Sequence, residues 1–165
     1  MSFDEKKELN QEEDTQKGRF LTFKLGEESF GLEIKYVTEI VGIQPITNIP
    51  EVPNYVKGII NLRGKVISVI DVRIKFKKEP VEYDERTCII VIEIDDISIG
   101  LIVDEVSEVV TIKDEDIVPP PSYKTGFQNK YIKGVGKYKD GVKLLLDSNK
   151  LLTNEEKQKI SDVEL

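Results

Sequence analysis

Asp71 and Asp147 occupy matching places in two similar stretches of this chain, and paired carboxylates are a common means of general acid–base chemistry. Each, however, ends a strand-like run of valine, isoleucine or leucine just before a short segment expected to be helical. An aspartate so placed accepts the free N–H groups of a starting helical turn and suits its dipole, so both read as caps. Other candidates are scarce. The 165 residues include one cysteine and no histidine, which removes the commonest general base and metal ligand. Zinc sites and Cys/His or Ser/His/Asp nucleophile systems are thereby excluded. Cys88 opens an apolar run and reads as a small buried hydrophobe. Asp95 and Asp96, like Asp114, Glu115 and Asp116, lie in solvated turns. Neither cluster has the alternating ligands and closing glutamate of a calcium loop. No glycine-rich phosphate cradle is present. The expectation is a chain with no metal, no cofactor and no catalytic set.

The chemistry left is recognition. Residues 56–72 and 132–147 are variants of one pattern, with Gly58 mapping on Gly134 and Asp71 on Asp147. Upstream, Gly31, Val37, Glu39 and Pro50 map on Gly100, Val106, Glu108 and Pro119. A chain that repeats itself at this period is built from two similar units. The later copy turns on Lys139-Asp140-Gly141, ordinary hairpin chemistry. The earlier copy carries Asn61-Leu62-Arg63-Gly64 instead, more specialised than a turn requires. Arginine offers a planar fork for carboxylates, and Glu39 is available in the same unit. The two are expected to pair on the surface beside Val37 and Ile40. A charged pair next to an apolar strip has the makings of a protein interface; the bland alternative is a surface salt bridge.

The elements that must hold these residues are short strands. Leu21, Phe23 and Leu25 alternate with Thr22 and Lys24, one face in and one out. Similar runs recur at 29–32, 37–43, 57–62 and 65–70, then at 87–94, 97–103, 106–112, 131–139 and 142–146. Five strands per unit predict an all-β fold of two small barrels. Cys88–Ile92 and Ile99–Val103 are nearly continuous apolar runs, so both faces should be covered and the barrels should share an apolar seam. Thr153 and Glu156 form a capping-box pattern that starts a C-terminal helix. The expected organisation is a flexible N-terminal arm over 1–17, a first unit over 18–82, a second over 83–152 with strand exchange between them possible, and a helical tail over 153–165.

Twenty-four basic residues against 31 acidic ones give a net charge of −7, which repels phosphate backbones and argues against nucleic acid. Lys75, Lys77 and Lys78 read as a solvated face. Against that stands one rival pattern: Tyr123, Phe127, Tyr131 and Tyr138 sit among Lys124, Lys130, Lys133, Lys137 and Lys139, a mix that single-stranded nucleic acid would use. No apolar stretch approaches bilayer length and the N-terminus is polar, so a cytoplasmic chain without membrane insertion is expected.

Lys57-Gly58-Ile59-Ile60-Asn61-Leu62-Arg63-Gly64, followed by Val69-Ile70-Asp71, resembles the signature of the bacterial chemotaxis coupling proteins, the CheW family. Val37-x-Glu39-Ile40 and Val103-Asp104-x-Val106-x-Glu108-Val109 match two further family stretches in the same order, and the resemblance runs from about Phe20 to Leu152. Asn-Leu-Arg-Gly also occurs in the regulatory domain of the partner kinase. Ser68 replaces the family's usual proline and Val72 its usual leucine. The resemblance implies two five-stranded SH3-like barrels and a non-catalytic adaptor. Its partners would be the cytoplasmic tips of transmembrane chemoreceptors and the regulatory domain of a chemotaxis histidine kinase, at membrane receptor arrays. Carried over by motif, Val37, Glu39, Ile40, Gly58, Arg63 and Val109 would face the receptor and Val66 the kinase. The alternatives are a nucleic-acid-binding double barrel and a stand-alone kinase regulatory domain.

Overall fold

Valine- and isoleucine-rich segments punctuated by turn residues become eleven strands in the computed structural model, which describes residues 16–121 and 130–163. Most of the arm expected at 1–17 lies outside the described residues, as do Tyr123, Lys124 and Phe127. The strands are β1 (Arg19–Leu25), β2 (Glu28–Glu33), β3 (Val37–Gly42), β4 (Val56–Leu62), β5 (Lys65–Asp71), β6 (Cys88–Ile94) and β7 (Ile97–Val103). β8 (Glu105–Thr111), β9 (Ile117–Val118), β10 (Ile132–Tyr138) and β11 (Gly141–Leu146) follow. The helical elements described in full are α1 (Val72–Lys75), α2 (Asn154–Val163) and single 3-10 turns. The fold class is all-β, as the sequence predicts.

The strands form two sheets, ordered β8-β1-β2-β11-β10-β9 and β3-β6-β7-β5-β4. Neither sheet is one half of the chain. The first takes β1 and β2 from the front and completes itself with the last four strands; the second is continuous from β3 to β7. Sheet membership therefore crosses the expected boundary near 82/83, with β1 and β2 joining β8–β11 and β6 and β7 joining β3–β5. Two parallel pairings, β2 with β11 and β5 with β7, place Gly31 opposite Leu145 and Gly100 opposite Val69. A Cβ at Gly31 would stand 2.9 Å from Leu145, and one at Gly100 2.7 Å from Val69. The repeat thus preserves a close strand approach in both sheets.

Each sheet also meets itself. The chain continuing from β3 returns to β4, where Thr47 and Ile59 exchange reciprocal backbone bonds of 2.9 Å. The chain continuing from β8 returns to β10 through β9. Inside the second sheet lie Ile60, Ile67, Val69, Ile89 and Val91; inside the first lie Phe20, Val110, Ile112 and Leu145. Between them runs the largest cluster, with Phe23, Phe30 and Leu32 from the first sheet against Ile90, Ile92 and Leu101 from the second. This is the apolar seam expected from the continuous runs in β6 and β7.

β1 is covered on both faces, by the interior of its own sheet on one side and by the seam on the other, which alters one expectation. Thr22 was to face out; it is fully buried inside the first sheet. There its hydroxyl donates to the Glu108 carbonyl at 2.7 Å and accepts from the Glu108 N–H at 3.1 Å. The β1–β8 register slips at this point, so the hydroxyl satisfies backbone groups that the irregularity leaves unpaired.

The C-terminal helix starts as the capping box requires. The Thr153 hydroxyl accepts from the Glu156 N–H at 3.1 Å, and the Glu156 carboxylate accepts from the Thr153 N–H at 3.0 Å. Glu156 also pairs with Lys75 at 2.8 Å, and Ile160 inserts into the seam. Lys75 corrects the reading of residues 75–78 as solvated: it is 8% exposed, its ammonium 4.0 Å from the Tyr55 ring centre. Burial, and after it the charge of Lys130, pushes its pKa down to about 8 despite Glu156. Between that value and the unfolded value near ~10.4, the unfolded chain holds the proton and the folded chain does not. Stability from this group therefore rises with pH across that window. Lys75→Met removes this titration, so its stability relative to wild type is expected to fall by about 2 kcal/mol between pH 7 and pH 10. Urea unfolding at both values checks this, and a difference unchanged with pH would refute it.

Candidate interaction surface

The specialised turn makes local sense. Arg63 and Gly64 both adopt positive φ, 52° and 86°, the pairing that a two-residue hairpin turn needs between twisted strands. Asn61 secures it, its Oδ1 accepting from the Gly64 N–H at 2.8 Å. Glycine would serve more cheaply at Arg63, so the turn keeps its arginine against local preference. On β3 the register slips between Val37 and Glu39, and the Thr38 hydroxyl donates to the Val91 carbonyl at 3.1 Å. Arg63 Nη2 donates to both carboxylate oxygens of Glu39. The expected pair forms, and it links the edge strand β3 to the β4–β5 turn.

The Arg63 side chain is 70% exposed and that of Glu39 29%. Hydrogen bonding and then the charge of Glu39 hold the Arg63 guanidinium above its usual pKa, so it is a fixed cation. In water such a pair contributes little to folding. Beside it Ile40 is 43% exposed, while Val37 leans inward onto the seam. Val109 is 41% exposed on β8, an edge strand of the other sheet. Val66 is exposed on β5, and its repeat counterpart Val142 on β11 is more so.

Gly58 stands apart from these residues. It is buried with φ at 143°, and the backbone that comes near it is its own chain's: the Thr47 carbonyl oxygen lies 2.0 Å from where a Cβ would sit. Its glycine serves the closure of the second sheet rather than an open surface. The aspartates do as the capping reading expects. Asp71 accepts from the Ile74 N–H at 3.3 Å and from the Tyr83 hydroxyl at 2.8 Å, and Asp147 accepts from the Asn149 N–H at 3.1 Å. Among the described residues no three carboxylate or thiol groups gather as metal ligands would.

Sequence reasoning missed one polar centre. Asp104 sits where the chain crosses from β7 in one sheet to β8 in the other. Its carboxylate takes three bonds of 2.6–3.0 Å from the Arg73 guanidinium on α1 and a fourth, 2.6 Å, from the Gly26 N–H in the β1–β2 turn. Its place in the stretch Val103-Asp104-x-Val106 was a signal that carried no role.

Two all-β sheets that share a core and present an ion pair across a strand edge and a hairpin tip suit a module that binds other proteins. A family model described as the CheW-like domain matches residues 19–156. Chemotaxis protein CheW of Klebsiella aerogenes is 38% identical over 144 residues, 87% of each chain. The Treponema pallidum protein of that name is 33% identical over 88% of each chain. The crystal structure of scaffolding protein TtCheW from Thermoanaerobacter tengcongensis superposes with a TM-score of 0.77 at 37% identity, covering 84% of this chain and 96% of that one. The chain belongs to the CheW family. It is a chemotaxis adaptor, and none of these matches favours the nucleic-acid or kinase-domain alternatives.

Proposed function

We propose that this adaptor couples the cytoplasmic tips of chemoreceptors to the regulatory domain of a chemotaxis histidine kinase. It would act from the cytoplasm at membrane receptor arrays and without catalysis of its own. Among the described residues no helix is long and apolar enough to cross a membrane, so recruitment would run through the receptors. The observation that carries the reading is the exposed Glu39–Arg63 pair beside Ile40 on the edge strand β3. An apolar strip with a fixed charge at its rim suits a helical receptor tip laid against it. Val37 and Val109 would extend that face across the seam, Gly58 would support it from beneath, and Val66 would belong to the kinase side. A face of this size binds moderately, at ~800 Å² per partner or less. Firm assembly would then come from each adaptor touching several neighbours.

Arg63→Asp tests the face. The substitution sets two like charges together where water already screens them, so the melting temperature is expected to stay within about 2 °C of wild type. Affinity for a soluble receptor-tip fragment should fall at least ~10-fold, while affinity for the isolated kinase regulatory domain stays within about twofold. Unchanged receptor binding would remove this pair from the receptor face.

A further inference from the structure

Where β2 meets β11, a pocket of about 220 Å³ opens between the strands and α1. Its floor is apolar, made by Phe30, Phe76, Tyr131, Ile132 and Leu144. Phe76 stacks on Tyr131 with ring centres 5.1 Å apart and tilts against Phe30 at 5.7 Å. Its rim is basic, with Lys77, Lys78 and Lys130, and the buried Lys75 lies in its wall. An adjoining cavity of about 420 Å³ shares three of these lysines and adds Lys150. The carboxylates in these walls are already engaged, Glu28 with Lys78 at 2.5 Å and Glu156 with Lys75 at 2.8 Å. Lys77, Lys130 and Lys150 have no carboxylate partner among the described residues. On a chain of net charge −7 this is a local reversal of field.

Lys77 adds a second sign of purpose. It closes α1 at φ 62°, its N–H donating to the Ile74 carbonyl while that of Lys78 donates to Arg73. Glycine is the usual residue in such a helix ending. A lysine there places a cation at the pocket mouth against local stability.

Size and charge together indicate the occupant. The pocket is smaller than the ~300–1,000 Å³ typical of small-molecule sites and matches one large side chain. We propose that it receives a single aromatic or large aliphatic side chain from an acidic segment of a protein partner, with the flanking carboxylates on Lys77, Lys130 and Lys150. The buried anchor supplies the binding energy and the lysine rim supplies orientation and rate. Single-stranded nucleic acid would meet the same charges, but it needs open ring faces for its bases, and Phe76 already covers Tyr131. No residue of this site belongs to the receptor or kinase faces proposed above.

The test uses the full chain labelled with nitrogen-15 and three probes. These are acetyl-Asp-Glu-Phe-Glu-Asp-amide, the same peptide with serine for phenylalanine, and a short oligothymidine. The phenylalanine peptide is expected to give saturable shifts at the amides of Phe76, Lys77 and Tyr131, and to bind at least ~10-fold more tightly than the serine peptide. Lys77→Gly relieves the backbone and should raise the melting temperature, yet combined with Lys130→Ala it should weaken the peptide at least ~10-fold. Arg63→Asp should leave it unchanged. Equal binding of both peptides, shifts elsewhere, no saturation, or preference for the oligothymidine would each overturn the proposal.

Discussion

Gly58→Ala is expected to cost roughly 3–5 kcal/mol and to lower the melting temperature by more than ~10 °C. The added methyl would sit 2.0 Å from the Thr47 carbonyl oxygen, 2.7 Å from its carbon and 3.0 Å from Ile46 Cγ2. Thr47 cannot retreat, because its N–H and carbonyl are both bonded to Ile59 at 2.9 Å. The φ of 143° is itself foreign to residues with a Cβ. Overlap and backbone strain therefore add, at the one bridge that returns the chain after β3 to β4. Gly134→Ala is the internal control. There the new atom meets Ile117 Cγ2 at 2.8 Å, a side-chain methyl rather than backbone, and the Val118 carbonyl at an ordinary 3.4 Å. A side chain can yield where a bonded backbone cannot, so about 1–2 kcal/mol is expected. Urea unfolding of both variants reads the difference. A Gly58→Ala protein with wild-type stability and weakened receptor binding would restore Gly58 to the receptor surface.

Those two glycines also show what a sequence can convey about this fold. Turn, cap and repeat chemistry is local, so Asp71, Asp147, Thr153 with Glu156, and the pairing of Gly58 with Gly134 were legible from residue type and spacing. The seam was legible too, because uninterrupted apolar runs in β6 and β7 leave no face for water. Partner choice was not. Period-two alternation says which side chains share a face, but nothing in β2 names β11 as its neighbour more than a hundred residues on. Thr22 and Lys75 failed for one shared reason. A polar residue between apolar ones reads as solvent-facing unless the closure of the sheet, or a helix arriving from the far terminus, is known. The aromatic pocket was out of reach because Phe30, Phe76 and Tyr131 come from three distant segments. Glu39 with Arg63 could be expected since the repeat isolates them as the difference between its copies.

Asp104→Ala is expected to destabilise the chain by about 2–3 kcal/mol at pH 7, and by progressively less as the solution is acidified. The carboxylate joins the crossing from β7 to β8, the β1–β2 turn and α1, so three segments from both sheets converge on one group. Removing it strands the Arg73 guanidinium, whose side chain is only 16% exposed, and the Gly26 N–H. Burial pushes the Asp104 carboxyl up. The Arg73 guanidinium, the Gly26 N–H and the nearby Lys78 charge outweigh burial and hold it below the usual carboxylate range. A depressed carboxyl stabilises fully above its unfolded value, near ~3.9, and loses that contribution as pH falls through the folded value. The gap between wild type and Asp104→Ala should therefore be widest near neutrality and narrow below about pH 4. Asp104→Asn, which keeps an acceptor for Gly26 but no charge for Arg73, should fall between them. Urea unfolding at pH 7 and pH 3 decides the point: a gap independent of pH would mean that packing, not charge, holds the crossing. On the proposed reading the binding faces lie on both sheets. A charged lock at their crossing would hold those faces at a fixed angle without adding exposed apolar surface.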